Sequence, residues 1–189
     1  MSLRLRDATP ADFGVIAEIY AHHVHTGFGS FEEVAPSSDE MRRRHQEVTV
    51  RGLPWRIAEL DREVVGYCYA SPYNTRSAYR FTVQDSVYID ERRAGRGIGT
   101  NLLTDLIEIC AGLGYRRMMA VVGDSRNEAS LRLHARLGFR TIGQALGIGV
   151  KFGRWVDVVY MQRVLGEDRP DLPVSEPTGW LAPPDQKGP

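Results

Sequence analysis

The part of this chain best equipped for chemistry is residues 86–103, SVYIDERRAGRGIGTNLL, where a β-rich run meets a basic, glycine-dense turn that opens into an amphipathic helix. Gly95, Gly97 and Gly99 remove the side chains that would keep a ligand off the backbone. The unpaired N–H groups at the start of the next helix face that ligand with the positive end of the helix dipole, so the turn reads as a grip for a diphosphate. Two known phosphate loops do not fit. The Lys and Thr of a Walker loop are missing after it. The dinucleotide fingerprint needs glycine where Thr100 stands, and an acidic residue at the next strand end. His22, His23 and His25 form the other cluster of ligand-type side chains. Neighbouring histidines do not share a helical face and no carboxylate or cysteine completes the set, so no metal site is expected.

These residues need a frame to hold them. At 189 residues the chain is long enough for one domain that buries roughly two thirds of its unfolded surface without a metal or disulfide staple. Its 24 basic and 24 acidic residues cancel. The cluster Arg92, Arg93, Arg96 is too short for more than a local anion site, which argues against nucleic acid as a partner. Cys68 and Cys110 lie inside apolar periodic segments and read as buried, reduced thiols. No apolar run approaches the roughly 18 residues of a membrane span, and the first ten residues lack a signal-peptide core, so no membrane partner and a cytoplasmic location are expected.

Leu3 and Leu5 alternate with arginines, which predicts a first strand over residues 2–6. Thr9, Pro10 and Asp12 supply a cap, a first-turn proline and an acidic third position for a helix that turns Phe13, Ile16, Ala17 and Tyr20 inward. Residues 26–38 read as a loop able to act as a lid, followed by a charged helix from Asp39. Strands are predicted at 54–60, 63–70 and 79–89, as an antiparallel meander. Apolar residues at 98, 102, 106, 109 and 113 predict a helix over 97–113. A buried strand at 118–122, a helix capped by Asp124 or Ser125 and running to Arg136, and closing strands at 139–142 and 156–161 complete the order β-α-α-β-β-β-α-β-α-β-β. This is an α/β (α+β) domain over residues 1–165. Residues 166–189 hold six prolines and read as a tail.

With strand, glycine turn, helix, strand and helix in that order, residues 3–165 resemble the GNAT superfamily of N-acetyltransferases. The finer likeness is to its phosphinothricin and methionine-sulfone acetyltransferase branch. It is carried by TVQDSVYID at 82–90, AVVGDSRNEASLRLHARLGF at 120–139 and GVKFGRWVDVVYMQ at 149–162. The resemblance implies the GNAT fold, a mixed, mostly antiparallel V-shaped central sheet flanked by helices, with acetyl-CoA held where two central strands splay apart. It also implies a homodimer. The pyrophosphate loop would span Gly95, Arg96, Gly97, Ile98, Gly99 and Thr100. Its usual form, Q/R-x-x-G-x-G, fits Gly97 and Gly99 but starts on Ala94, whereas Arg92 satisfies it in the register of Gly95 and Gly97. Val87, Tyr88 and Ile89 match the strand that runs along the pantetheine arm, and Asn127 and Ser130 match side chains that reach the cofactor.

Acetyl transfer to an amine requires a neutral amine, a stabilised oxyanion and a proton for the departing thiolate. The glutamate that usually serves as base in this branch is replaced by Gln84, which cannot be a base. Asp85 is the nearest ionisable neighbour, on the opposite face of the strand unless a bulge re-aims it. Two readings stay open: Asp85 is the base, or Gln84 orients a water while Glu32 or solvent accepts the proton. His134, in L-H-A-R-L-G-F, stands where the superfamily usually has a proton-donating tyrosine. The oxyanion falls to a backbone N–H near Tyr88. Arg76, Ser77, Ala78 and Tyr79 form a polar, aromatic segment suited to a substrate carboxylate. Phe31 and Glu32, with Phe28, resemble the segment that covers the substrate. For Lys151, Trp155 and Asp157, strand pairing, dimer contact and chemistry all stay open. The implied activity is acetyl-CoA-dependent N-acetylation of a small amino acid or glutamate-like analogue, without a metal. Acetylation of another amine or a protein amino terminus, and a non-catalytic acyl-CoA-binding module, are the alternatives.

Overall fold

Tight turns between alternating apolar strands build one side of the sheet, and helices cover both of its faces. The computed structural model describes residues 2–166, 171, 173, 175–178 and 180. In chain order the elements are β1 (Leu3–Asp7), α1 (Phe13–Thr26), α2 (Ser38–Thr49), β2 (Trp55–Leu60), β3 (Glu63–Pro72), β4 (Thr82–Ile89), α3 (Ile98–Gly112), β5 (Arg117–Gly123), α4 (Glu128–Arg136), β6 (Arg140–Lys151) and β7 (Arg154–Val164). This is the order expected from the sequence. The sheet runs β1-β2-β3-β4-β5-β7-β6, and every neighbouring pair is antiparallel except β4 and β5.

That parallel pair fixes the site. Only Thr82 with Arg117, Val83 with Met118 and Gln84 with Met119 are opposed. Beyond them β4 continues to Ile89 and β5 to Gly123 without pairing to each other. The sheet therefore opens into a V on the side of the glycine turn.

The two faces of the sheet are chemically distinct. On one, Trp55 stacks on Tyr69 with ring centroids 4.1 Å apart, and Tyr67 stacks on Tyr88 at 5.3 Å. Phe13 and Tyr20 of α1 and His45 of α2 meet these rings edge-on. On the other face, α3 buries Ile98, Leu102, Leu103, Leu106 and Cys110, and the Cys68 thiol reaches the Leu102 carbonyl. Cys68 and Cys110 are both free and fully buried.

Three local expectations are corrected. The helix α4 is capped by Asn127, whose side chain accepts from Ser130 N–H, and not by Asp124 or Ser125. Asp124 has a left-handed φ of 68°, and the Ser125 hydroxyl is donated to Asp157. The last two strands are 12 and 11 residues long, far beyond 139–142 and 156–161. Gly143, Gly147 and Gly149 conceal β6, because glycines interrupt the alternation while the register shifts between Thr141 and Gly143 and between Ala145 and Gly149 accommodate them. Finally, β4 begins at Thr82, and residues Ser77–Tyr79 form a single 3₁₀ turn ahead of it.

The expected tail, residues 166–189, lies mostly outside the described residues. Among those described, Pro177 is buried against Gly114 and Thr178 N–H donates to the Leu113 carbonyl at the end of α3. Among the described residues no helix is long and apolar enough to cross a membrane.

Trp55, only 2% exposed, ties α1, α2 and two strands together. Trp55→Ala is expected to lower the unfolding free energy by about 3–5 kcal/mol in urea titration. A loss below about 1 kcal/mol would show that the ring stack carries no packing energy.

Candidate active site

Where β4 and β5 part, a cleft of 1210 Å³ opens between the glycine turn, the start of α4, the splayed strands and the loop after α1. Its walls hold Gln84, Asp85, Val87, Tyr88, Ile89, Gly95, Gly97, Ile98, Gly99, Thr100, Asn127, Ser130 and His134, together with Phe31 and Glu32. Most of the residues singled out in the sequence are thus brought to one place. Arg96 is exposed beside the turn, outside the cleft lining, and Arg76, Ser77, Ala78 and Tyr79 lie outside it as well.

The glycines of the turn are there for two different reasons. Gly95 and Gly97 both have φ of +76°, a left-handed conformation that costs other residues free energy. Gly97 caps α3 without any side chain, so the first N–H groups of the helix remain available to an anion. Gly99 is a matter of packing. A Cβ there would lie 3.3 Å from Leu133 Cδ2 and 3.8 Å from Ile89 Cγ1, so its lone hydrogen lets α4 and β4 close on the helix start. Arg93, Ala94, Arg126, Arg132 and Arg136 also line the cleft. Arg132 and Arg136 lie one helical turn apart, a spacing that could have revealed a basic wall in the sequence.

Asp85 and His134 form a buried pair. Their exposures are 6% and 4%, and His134 Nε2 lies 3.0 Å from Asp85 Oδ2. No bulge interrupts β4, since its register against β3 is continuous from Val83 to Ile89. Asp85 and Gln84 therefore keep opposite faces, and it is α4 that reaches across to Asp85. The second ring nitrogen of His134, Nδ1, is 2.8 Å from the Ser130 carbonyl oxygen, which can only accept. Nδ1 must then carry a proton, and a neutral ring would turn its Nε2 lone pair toward a carboxylate. A second proton between Nε2 and Oδ2 removes that repulsion. Burial pushes the His134 pKa down, but the hydrogen bond and negative charge of Asp85 outweigh it and the net shift is upward. Asp85 Oδ1 is buried with no hydrogen-bond partner.

Glu32 is committed elsewhere. Arg44 donates to both its oxygens, at 2.7 and 3.1 Å, and Tyr20 Oη donates to it at 2.8 Å. Burial raises its pKa, but these bonds outweigh that and bring it below the ordinary value, which makes it a poor proton acceptor. His23, which the sequence left without a role, donates Nε2–H to the Ile89 carbonyl at 2.9 Å and packs beside Tyr88. His22 pairs with Glu91. Among the described residues no three His, Cys, Asp or Glu side chains gather as a metal site would need. Asp157 accepts from Gly147 N–H, Ser125 and Gln144, which fixes the bulged hairpin of β6 and β7.

A glycine turn beside an unpaired strand edge is the layout the resemblance implied, and comparison with known proteins decides the family. The acetyltransferase (GNAT) family model matches residues 16–139. The chain belongs to this family. It is 51% identical over 162 residues to a phosphinothricin N-acetyltransferase of Alcaligenes faecalis, covering 86% of this chain and 82% of that protein. An L-methionine sulfoximine/L-methionine sulfone acetyltransferase of Salmonella typhimurium is 34% identical, over 87% of this chain and 96% of that protein. The fold is similar to the crystal structure of a phosphinothricin acetyltransferase from Sinorhizobium meliloti in complex with acetyl-CoA, with a TM-score of 0.85 and 43% identity over 88% of this chain and 90% of that one.

The proton held by His134 has a measurable signature. In Asp85→Asn, burial remains and the raising charge is gone, so the His134 pKa is expected to fall, read by NMR titration of the imidazole. In the unaltered protein a raised folded pKa gives a stabilisation that is complete below the unfolded value of about 6.5 and is lost as pH rises through the folded one. That pH dependence should vanish from Asp85→Asn melting curves; an unchanged His134 titration would dissolve the pair.

Proposed function

We propose that this protein is an acetyl-CoA-dependent N-acetyltransferase that acts on the α-amino group of a small amino acid or a glutamate-like analogue, of the phosphinothricin or methionine-sulfone type. Asp85 and His134 are its proton-handling unit. The observation that carries this reading is the buried Asp85–His134 pair facing a cleft whose other wall is an uncapped helix start.

The residues present suit acetyl-CoA. The N–H groups at the start of α3, with Gly95, Gly97 and Thr100 around them and Arg96 adding positive charge outside, take the pyrophosphate. Val87, Tyr88 and Ile89 offer an extended pantetheine arm a strand edge that β5 leaves unpaired, with the Ile89 carbonyl already accepting from His23. Asn127 keeps its amide N–H₂ for the same arm while its oxygen caps α4, and Ser130 sits one turn further along. When bound, acetyl-CoA would supply a thioester carbonyl for attack by the amine and a thiolate leaving group that takes up the second proton shed by the nitrogen.

Asp85 Oδ1, the oxygen of the pair left without a partner, accepts the proton of the incoming ammonium, directly or through water. His134 acts through Asp85, because both of its ring nitrogens are already engaged. The pair accepts a proton only after losing the one it shares, so the rate rises with pH through the raised His134 value. Gln84 lines the same cleft from the other face of β4 and orients the amine or a water. Phe31 and Glu32 cover the amine end. Arg76, Ser77, Ala78 and Tyr79 can serve a substrate carboxylate only if something beyond their own protomer's cleft brings them to it.

A homodimer fits the far edge of the sheet. β6 is an edge strand, and Ile142, Leu146, Ile148, Val150 and Trp155 on the β6–β7 hairpin are each more than half exposed. A second copy would cover this apolar row and end the exposed ladder. A cytoplasmic location suits the two buried free thiols. Residues 1–165 carry the activity, and the tail after them has no assigned part in it.

Thiol release from acetyl-CoA with a panel of phosphinothricin, methionine sulfone, methionine sulfoximine and common amino acids tests the activity. Acetyl-CoA binding without thiol release across the panel would overturn it. Asp85→Asn should lower kcat by about 10²–10⁴-fold with acetyl-CoA affinity kept. An unchanged rate at every pH removes Asp85 from the reaction. For the assembly, Ile148→Asp combined with Trp155→Asp should halve the mass seen by light scattering after gel filtration; a mass that never exceeds one chain in the unaltered protein refutes the dimer.

A further inference from the structure

The loop between α1 and α2 crosses the mouth of the V, and what fastens it on the far side is a buried cation. Lys151, the last residue of β6, is 1% exposed. Its Nζ donates to the Ser30 carbonyl at 2.7 Å and lies 5.0 Å over the Phe152 ring. Among the described residues it forms no ion pair with a carboxylate. A buried ammonium without an ion pair is costly, and an apolar residue would serve strand packing better. The cation must therefore secure something that packing alone does not.

What it secures is set out by the neighbouring contacts. Ser30 is bonded to Tyr20 of α1 through its hydroxyl, and Glu32 is bonded to Tyr20 and to Arg44 of α2. Those ties hold the loop to the near wall. On the far wall Phe31 lies directly over two glycines. A Cβ at Gly149 would come within 2.4 Å of the Phe31 ring, and a Cβ at Gly123 within 2.2 Å of the Phe28 carbonyl and 2.9 Å of the Phe31 ring. Neither glycine has a left-handed φ, so space and not backbone conformation explains them. Gly123 ends β5 at the open end of the V, and Gly149 lies in β6 two residues from Lys151.

We infer that Lys151 is the latch of the substrate-covering loop, and that Gly123 and Gly149 form the slot that seats Phe31 over the cleft. This rests on the reading that the cleft holds an amine substrate beneath the loop. Lys151 is then a positioning residue: it touches neither cofactor nor substrate, and it sets the height of Phe31 and so the room left for the amine's side chain.

Hydrogen exchange and steady-state kinetics on the full-length protein test it together. In Lys151→Met the amides of residues 28–32 should exchange about tenfold faster or more, the fold-change one charge-assisted hydrogen bond is worth, with α3 unchanged. The KM for the amine should rise by a similar factor while the KM for acetyl-CoA stays within about twofold. Gly149→Ala should do the same without touching Lys151, and it carries the test if Lys151→Met does not fold. Adding Gly149→Ala to Phe31→Ala should change nothing further, because the ring it would strike is gone. Unchanged exchange at residues 28–32 overturns the latch, and so does an equal loss for both substrates. Exchange needs no turnover. Faster loop exchange in a protein that acetylates nothing on the panel would keep the latch and reject the amine reading.

Discussion

Two parallel strands that stop pairing halfway along their length are the constraint from which the rest of this molecule follows. Buried N–H and C=O groups need partners, and β4 leaves its edge open from Asp85 onward just where the sheet should continue. An edge of that kind persists in a core only if something else completes it. The glycine turn, the loop after α1 and the start of α4 are arranged round the gap so that an extended ligand can enter it. The closed end of the V, held by three residue pairs and covered by α3, keeps the gap at a set width.

The chemistry at the base of the gap is governed by what the histidine can no longer do. The Ser130 carbonyl fixes one tautomer at His134, so the other nitrogen meets a carboxylate and a proton has to lie between them. Neither imidazole nitrogen is left free, although the sequence suggested His134 as a proton donor, and Asp85 Oδ1 has no hydrogen-bond partner.

Much of the fold could be read in the sequence because its signals are local. The period of residues 98–113, the alternation of Leu3 and Leu5, and the Thr9, Pro10 and Asp12 signal ahead of α1 each name their own element. The site was legible as a cluster for the same reason, since residues 84–100 and 127–134 come from two continuous stretches. What escaped was set by long-range geometry. Whether Asp85 or Gln84 meets a partner depends on where α4 packs, which no alternation pattern reports. β6 was hidden by three glycines, of which Gly149 makes room for Phe31, a residue more than a hundred positions away, and Gly147 has a left-handed φ of 55°. For Lys151 strand pairing, dimer contact and chemistry stayed open in the sequence, because only the folded loop brings the Ser30 carbonyl to its Nζ.

Gly99 is explained by packing, since its missing Cβ lets Leu133 rest on the uncapped start of α3, and Leu133 precedes His134. The glycine turn and the Asp85–His134 pair are therefore neighbours through Leu133, whose Cδ2 a Cβ at position 99 would meet at 3.3 Å. Binding and turnover in such a site are not independent modules: a change that thickens position 99 would be felt at His134 as a displaced ring.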